Sequence, residues 1–230
     1  MIALVLQARI DSSRLPQKSL LPLGGSPLIL RVMQALSGVH CETSFLACPD
    51  DSAALFAPLA AEAGFTLITG PKEDVLARFC LAVRASGADR IIRATGDNAF
   101  VFADAANAIC REALELQADY AGYSGLPHGA GVEVIASEAL LRAEREAKLK
   151  PEREHVCPYL YNNPEIFSLH RPLAPRRWRE NALRITVDTR QDYERAQDLY
   201  ECLSALPEYE RNLGENIITA SRSVFAKERR

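Results

Sequence analysis

The sequence lacks the features that mark several large classes of protein. Its 230 residues carry a formal net charge of −3, so the basic excess typical of a general nucleic-acid-binding protein is missing. No apolar run approaches the roughly 20 residues of a membrane-spanning helix. The opening MIALVL has no basic segment and is too short for the apolar core of a signal peptide. We therefore expect a cytoplasmic protein that binds neither nucleic acid nor membranes.

Metal-binding and redox motifs built on cysteine are also missing. The six cysteines form no CxxC pair and no cysteine–histidine cluster with the spacing of zinc ligands. They are scattered, mostly in apolar or helical surroundings, and this favours reduced thiols in a protein core.

What the sequence does contain, in its first half, is a regular alternation of strands and helices. Strands are predicted at IALVLQ, TSFLACP, FTLIT and ADRIIRAT, and helices at SPLILRVMQALSG, DDSAALFAPLAAEAG, KEDVLARFCLAVRASG and FADAANAICREALEL. The first helix is expected to begin with Ser26 as its cap and Pro27 at its first position, and the second with Asp50 or Asp51 as its cap. This alternation predicts an α/β fold of three layers, with a doubly wound, mainly parallel mixed sheet.

The second half is less regular. Strands are predicted at VEVIAS and at ALRITVD, which ends at Asp188, and helices at SEALLRAEREAKL, RQDYERAQDLYECLSAL and GENIITASRSVFAKE. The final AKERR is interpreted as a solvated tail. Because no linker separates the halves, we expect one domain over residues 1–230, with an irregular insertion at about residues 122–180.

A cation-rich loop follows the first predicted strand. Arg9, Arg14 and Lys18 alternate with hydroxyl residues such as Ser13, ahead of the first helix. The loop has neither GxxxxGK[ST] nor GxGxxG, so it is neither a P-loop nor a dinucleotide-binding turn. Guanidinium groups bind phosphate oxygens in pairs, and a lysine adds a mobile charge. The loop is therefore either a cradle for a triphosphate or a solvated surface loop.

Two aspartates lie directly after predicted strands. Asp97 follows ADRIIRAT, with Gly96 beside it, and Asp188 ends ALRITVD. Ligands of doubly wound sheets bind beyond the carboxyl ends of the strands, so both side chains are expected at the same edge as the opening loop. They are candidate Mg²⁺ ligands, because Mg²⁺ prefers one or two carboxylates together with phosphate oxygens. The alternative is that each aspartate caps the following helix.

Five segments, in order, resemble the sugar cytidylyltransferases, which include the enzymes that make CMP-activated 3-deoxy-manno-octulosonate and CMP-acylneuraminate. The segments are LQARIDSSRLPQKSLLPLGGSPLI, EDVLARF, GADRIIRATGDNAFV, EREHVCPYLYNNPEIF and LRITVDTRQDYERA. The sequence most resembles the branch labelled spore coat polysaccharide biosynthesis protein F. The resemblance implies a fold of the nucleotide-diphospho-sugar transferase type. It also implies transfer of a cytidylyl group from CTP to a sugar or sugar acid, with release of pyrophosphate.

The resemblance also implies roles for individual residues. Catalysis is expected from Arg14, Lys18 and Asp97. The nucleotide would contact Gln7, Ala8, Arg9, Ser13, Arg14, Lys18, Asp74 and Gly96. Mg²⁺ would lie on Asp97 and Asp188. The acceptor side, and contacts between the subunits of an expected homodimer, would involve Glu133, Arg153 and His155.

Several residues depart from the family pattern, including the TGDNAF segment, which lacks a proline that is usual there. Asp11 and Gln17 stand in the opening loop where glycine is usual, and Gly131 stands where a carboxylate is usual. Asp11 would add an anion where an anion should bind, and Gln17 would crowd the backbone. We expect a working nucleotide site with an altered acceptor side.

Two other functions remain open at this point. One is glycosyl transfer on the same broad fold, although the DxD motif of that class is missing from TGDN. The other is a diverged, non-catalytic subunit that binds nucleotide. Neither the acceptor nor the choice of CTP can be derived from the residues themselves.

Overall fold

A computed structural model describes residues 1–227; the last three residues, which end the expected AKERR tail, lie outside the described residues. The elements follow one another in this order: β1 (Ile2–Gln7), β2 (Pro22–Leu23), β3 (Ser26–Pro27), α1 (Leu28–Leu36), β4 (Thr43–Pro49), α2 (Ala53–Glu62), β5 (Thr66–Gly70), α3 (Val75–Ser86), β6 (Arg90–Thr95), α4 (Ala103–Glu115), β7 (Tyr120–Ala121), β8 (Glu133–Ala136), α5 (Ser137–Glu146), α6 (Lys150–His155), α7 (Pro158–Tyr161), β9 (Leu169–His170), α8 (Arg190–Ser204) and α9 (Gly214–Lys227).

The main sheet has seven strands in the order β5-β4-β1-β6-β8-β7-β9. The pairs β1–β4, β1–β6 and β4–β5 are parallel, whereas β8 is antiparallel to both β6 and β7. The expected mainly parallel mixed sheet is confirmed. From β1 the chain first winds towards β4 and β5 and then returns to β6 on the other side. Such a reversal opens a crevice at the carboxyl ends of the two diverging strands, here β1 and β6.

Both faces of the sheet are covered, because successive residues of a strand point to opposite sides. Leu4 and Leu6 of β1 pack in one core with helices α1, α2, α4, α8 and α9. Ala3 and Val5 pack in a second core with α3, α5 and α7. The continuous apolar run IALVLQ is explained by this double burial, and the expected three layers are confirmed.

The start of α1 differs from the prediction. Ser26 and Pro27 form β3, which pairs with β2 in a hairpin, and α1 begins only at Leu28. The turn consists of Gly24 and Gly25, both with positive φ angles of 55° and 80°. Because the hairpin uses Ser26, the serine cannot cap the helix. The expected aspartate cap of α2 is also wrong, since Asp50 and Asp51 lie in a preceding 3-10 turn.

The predicted strand at ALRITVD is an extended segment without a neighbouring strand in the sheet. Its backbone bonds two loops instead: Ile185 N–H donates to the His128 carbonyl and Val187 N–H to the Asp97 carbonyl, each at 2.9 Å. The segment therefore ties the region that follows β6 to the start of α8.

The six cysteines are free thiols, four of them buried, as expected for core residues; Cys202 is exposed. Within residues 1–227, no helix combines the length and apolar character needed to cross a bilayer. The segment 122–180 contributes β8, β9 and helices α5 to α7 to the body of the fold. Its role as an insertion in a single domain stays a prediction.

Candidate active site

A cavity of about 350 Å³ opens at the carboxyl ends of β1 and β6. It is bounded by the opening loop, the start of α3, the end of β6 and the segments around His155 and Asp188. Its lining residues are Gln7, Ala8, Arg9, Ser12, Ser13, Arg14, Lys18, Ser19, Lys72, Glu73, Val75, Arg78, Arg93, Thr95, Gly96, Asp97, Glu154, His155 and Asp188.

Lys18 lies at the centre of the charged part of this cavity. Its Nζ donates to Asp97 Oδ2 at 3.0 Å, to Asp188 Oδ1 at 3.0 Å and to the Val187 carbonyl at 2.9 Å. All three donors of the ammonium group are thus used, and only 12% of the side chain is exposed. Two carboxylates more than ninety residues apart in the sequence are brought to one cation.

Asp188 is surrounded by further positive charge. Arg14 Nη2 lies 2.9 Å from its Oδ1, and Arg184 pairs with its other oxygen. Burial by itself raises the pKa of Asp188, but the hydrogen bond from Lys18 and the charges of Lys18, Arg14 and Arg184 outweigh burial. The pKa of this carboxyl is therefore below its usual value, and the group is ionised at neutral pH.

Neither aspartate caps a helix. The cap of α8 is Thr189, whose hydroxyl accepts from Asp192 N–H at 3.2 Å, while the Asp192 carboxylate accepts from Thr189 N–H. Phe102 stands before α4, five residues beyond Asp97. With the capping role filled by Thr189, Asp188 is free to face the cavity.

The two carboxylates fit a divalent cation on chemical grounds. Both contact one ammonium nitrogen, so a single positive charge already occupies the position between them. Mg²⁺ is commonly bound by one or two carboxylates and completes its shell with substrate phosphates and water. Among the described residues no group of three acidic, histidine or cysteine side chains is close enough to hold a metal unaided. The donor set therefore suits an ion that arrives with phosphate oxygens.

The two opening-loop residues that depart from the family pattern, Asp11 and Gln17, lie outside the cavity lining. Gln17 has φ 52° and ψ 29°, the left-handed conformation that favours glycine, and its side chain is exposed. Asp11 pairs with Lys72, which also contacts Asp51 at 3.1 Å. Neither Asp11 nor Gln17 is among the described residues that line the cavity. Asp11 and Gln17 therefore do not line the space next to Arg14 and Lys18.

Most of the residues predicted to contact the nucleotide line this cavity, but Asp74 does not. Its Oδ1 accepts from Ala77 N–H at 2.9 Å as the cap of α3, and its Oδ2 accepts from Arg153 Nε at 2.9 Å. Arg153, predicted on the acceptor side, is likewise absent from the lining residues. The pair joins α3 to α6 behind the cavity wall.

His155 and Glu154, in contrast, reach the cavity at the end of α6. Val156, the next residue, has φ 72° and ψ −57°, and Cys157 N–H donates to the His155 carbonyl at 2.8 Å. This is a γ-turn of the strained kind, rare for a β-branched residue. Strain of this type clusters at functional sites, and here it ends the helix at the cavity edge.

A second cavity of about 350 Å³ adjoins the first and shares Arg93 and Thr95 with it. Glu133 lies in its wall, pairs with Arg93, and accepts from Tyr120 Oη at 2.7 Å. Gly131, at the position of the usual carboxylate, also lines this space. The predicted acceptor residues are thereby divided: Glu133 lies in the second cavity, His155 in the first, and Arg153 in neither.

Three cationic residues of the first cavity were not predicted from the sequence: Lys72, Arg78 and Arg93. For Arg78 a signal exists, because it occupies a core position of α3 together with Val75, Phe79 and Ala82. Arg93 likewise interrupts the buried strand RIIRAT. A charged side chain at a position that periodicity assigns to the core indicates a bound partner or ligand.

The fold and the site together are of the nucleotidyltransferase type. A protein-family model described as cytidylyltransferase matches residues 3–216, and the chain belongs to this family. It is thus a nucleotidyltransferase, as the sequence resemblance implies. A curated relative, spore coat polysaccharide biosynthesis protein SpsF of Bacillus subtilis, is 30% identical over 214 residues, covering 90% of this chain and 89% of the relative.

Solved structures share the fold. A cytidylyltransferase from Leptospira borgpetersenii superposes with a TM-score of 0.86 at 21% identity, covering 99% of this chain and 95% of the other. A CMP:2-keto-3-deoxy-manno-octonic acid synthetase complexed with CTP has a TM-score of 0.69 at 16% identity, covering 89% and 99%.

Proposed function

We propose that this protein transfers the cytidylyl group of CTP to a hydroxyl of a sugar or sugar acid, with release of pyrophosphate. The observation that carries the proposal is the contact of Lys18 with both Asp97 and Asp188, next to Arg14 at the crevice between β1 and β6. The family supports CTP as the donor. The name of the Bacillus relative supports a place in surface polysaccharide synthesis.

In the proposed reaction, Arg14 and Lys18 hold the triphosphate and stabilise the charge that develops on the departing pyrophosphate. Asp97 and Asp188 are the residues that would hold Mg²⁺, which when bound polarises the α-phosphoryl group. Gln7, Ala8, Arg9, Ser13 and Gly96 would contact the nucleotide along the cavity wall. Asp74 would act from behind that wall, because it fixes the start of α3.

The acceptor belongs in the second cavity. It adjoins the first at Arg93 and Thr95, so a hydroxyl there can approach the α-phosphorus from the side opposite the pyrophosphate. Glu133 and Tyr120 offer hydrogen bonds to sugar hydroxyls, and His155 lines the first cavity. A homodimeric, cytoplasmic enzyme stays a prediction of the sequence.

The test is release of pyrophosphate from CTP and Mg²⁺ across a panel of sugar acids and neutral sugars. With an accepted sugar, Asp97→Asn is expected to lower turnover roughly a hundred-fold or more, because the metal site loses one of its two charges. The matched control is Asp198→Asn, an exposed aspartate of α8 outside the cavity, which is expected to behave as wild type. Full turnover by Asp97→Asn, or no pyrophosphate with any acceptor, would contradict the proposal.

A further inference from the structure

Asp188, one of the two candidate metal ligands, is held through both of its carboxylate oxygens. Its Oδ1 lies 2.9 Å from Arg14 Nη2 and 3.0 Å from Lys18 Nζ, two groups that line the first cavity. Its Oδ2 pairs with Arg184. Arg184 is not among the described residues that line the first cavity, and it lines a separate groove beside α8 and α9. The guanidinium group therefore reaches Asp188 from behind the cavity wall.

Arg184 is itself fixed by a second carboxylate, that of Asp192. Arg184 Nε lies 3.4 Å from Asp192 Oδ1, and only 8% of Asp192 is exposed. The other oxygen of Asp192, Oδ2, accepts from the backbone N–H groups of Asp188 at 3.1 Å and of Thr189 at 2.9 Å. Asp192 thus holds both the backbone of Asp188 and the arginine that pairs with its carboxylate.

The shape of the guanidinium group suits this bridge. Nε and Nη2 present parallel N–H groups on one edge, and here Nε contacts Asp192 while Nη2 contacts Asp188. The two contacts fix the orientation of the Arg184 side chain, although 38% of it is exposed. A carboxylate that is held through one oxygen presents the other in a fixed direction. Removal of contacts that orient a metal ligand in this way typically costs about 10- to 100-fold in metal affinity.

Arg184 has two effects on a metal ion at Asp188, and they have opposite signs. Its positive charge repels the ion, but the side chain is partly exposed, so solvent and salt screen this repulsion. Its hold on Oδ2 orients the ligand directly and is not screened. We propose that Arg184 is a positioning residue, which orients Asp188 and thereby raises the affinity of the site for Mg²⁺ when CTP is bound. This inference rests on the proposed function, in which Asp188 holds Mg²⁺.

The test measures CTP binding by calorimetry twice, once with Mg²⁺ and once with EDTA, and the ratio of the two affinities is the metal-dependent gain. Arg184→Met should lower this gain about ten-fold and keep the affinity measured with EDTA, since Arg184 contacts the metal ligand and does not line the cavity. The matched control is Arg190→Met. Arg190 pairs with Glu194 at 2.9 Å in the same i,i+4 relation, so its loss should leave the gain unchanged.

A double variant shows whether Arg184 acts through Asp188. Asp188→Asn alone should remove most of the metal-dependent gain, because the site loses one of its two charges. Arg184→Met added to Asp188→Asn should lower the gain no further, since two residues that act as one unit do not give additive losses. Additive losses would show that Arg184 acts independently of Asp188 and would overturn the inference.

Arg184→Lys keeps the positive charge, in case Arg184→Met is poorly folded. An ammonium group lacks the two parallel N–H groups that span Asp188 and Asp192, so the gain should still fall, although by less than in Arg184→Met. A full metal-dependent gain in either variant would overturn the inference. So would an equal loss of CTP affinity with Mg²⁺ and with EDTA.

The outcomes separate this inference from the proposed function. If Mg²⁺ raises the CTP affinity of wild type and of Arg184→Met by the same factor, the positioning role is contradicted and the proposed function stands. If wild type binds CTP equally with Mg²⁺ and with EDTA, or does not bind it, the metal site of the proposed function is contradicted, and the role of Arg184 falls with it.

Discussion

At the scale of single residues, the site is an electrostatic balance around Asp188. Three cations contact this one carboxylate, and they overcome a burial that by itself favours its neutral form. The same cations are those a triphosphate requires. In the proposed function, the ion pairs with Asp97 and Asp188 would keep Lys18 and Arg14 positioned for the phosphates.

The pKa of Asp188 leads to a prediction about acid stability. Because this pKa is lower in the folded than in the unfolded protein, Asp188 contributes stability above the unfolded value of about 3.9 and loses it as the pH falls through the folded value. Urea unfolding at decreasing pH should thus show a steeper loss of stability below about pH 4 for wild type than for Asp188→Asn. Asp198→Asn serves as control and should follow wild type. Identical pH profiles for wild type and Asp188→Asn would contradict the assignment.

Some residues of the candidate site can be predicted from the sequence, and others cannot. Lys18, Asp97 and Asp188 could be chosen from the sequence, because each follows a predicted strand and carries chemistry that suits a phosphate or a metal. Arg78 was missed because its position belongs to the apolar face of a helix, where the pattern predicts a core residue. Only its burial and its unpaired Nε distinguish it from a charge that extends to solvent.

At the scale of elements, the opening loop depends on one unusual backbone conformation. Gln17 occupies a left-handed position directly before the 3-10 turn that carries Lys18. A residue with a Cβ pays about 1–2 kcal/mol in this conformation, and glycine does not. Among the described residues, the exposed side chain of Gln17 makes no hydrogen bond or ion pair that offsets this strain. The loop keeps its shape through its neighbours, such as the hydrogen bond that Ser19 Oγ donates to the Arg9 carbonyl at 3.1 Å.

Substitution of Gln17 tests this interpretation. Gln17→Gly should leave the free energy of unfolding unchanged or raise it by up to about 1 kcal/mol, since relief of strain competes with the greater entropy of the unfolded chain. Gln17→Val should lower it by about 1–2 kcal/mol, because a β-branched residue avoids this region. The control, Gln191→Gly in the first turn of α8, should destabilise the protein, since the backbone there is right-handed. Gln17→Val as stable as Gln17→Gly would show that the loop adopts another conformation.

Elements were predicted well where the local pattern is decisive. The four parallel strands and the helices between them follow from apolar runs and stop signals, such as Gly87 after α3 with φ 64°. The extended segment before Asp188 is predicted as a sheet strand, but its backbone is hydrogen-bonded to loops. Apolar alternation does not reveal the hydrogen-bonding partner of a backbone segment. The hairpin of β2 and β3 was missed because Ser-Pro before an apolar run is also the usual start of a helix.

At the scale of the whole molecule, the order of the strands determines where the candidate site lies. The reversal at β1 places the opening loop, the residues after β6 and the segment before α8 at one edge. The sequence predicts the alternation that makes this edge, but not the pairing of β8, β7 and β9 that builds the second cavity. Those short strands lie far apart in the sequence and carry little pattern of their own. The second cavity, where we propose that the acceptor binds, is for this reason the least predictable part of the candidate site.

The proposed function requires that CTP and a divalent metal bind in the first cavity, with the metal between Asp97 and Asp188. A crystal structure of the protein with CTP and Mn²⁺, located by its anomalous signal, tests it most directly. We expect a manganese peak in contact with both carboxylates and a triphosphate against Arg14 and Lys18. A metal bound elsewhere, or a triphosphate outside this cavity, would contradict it.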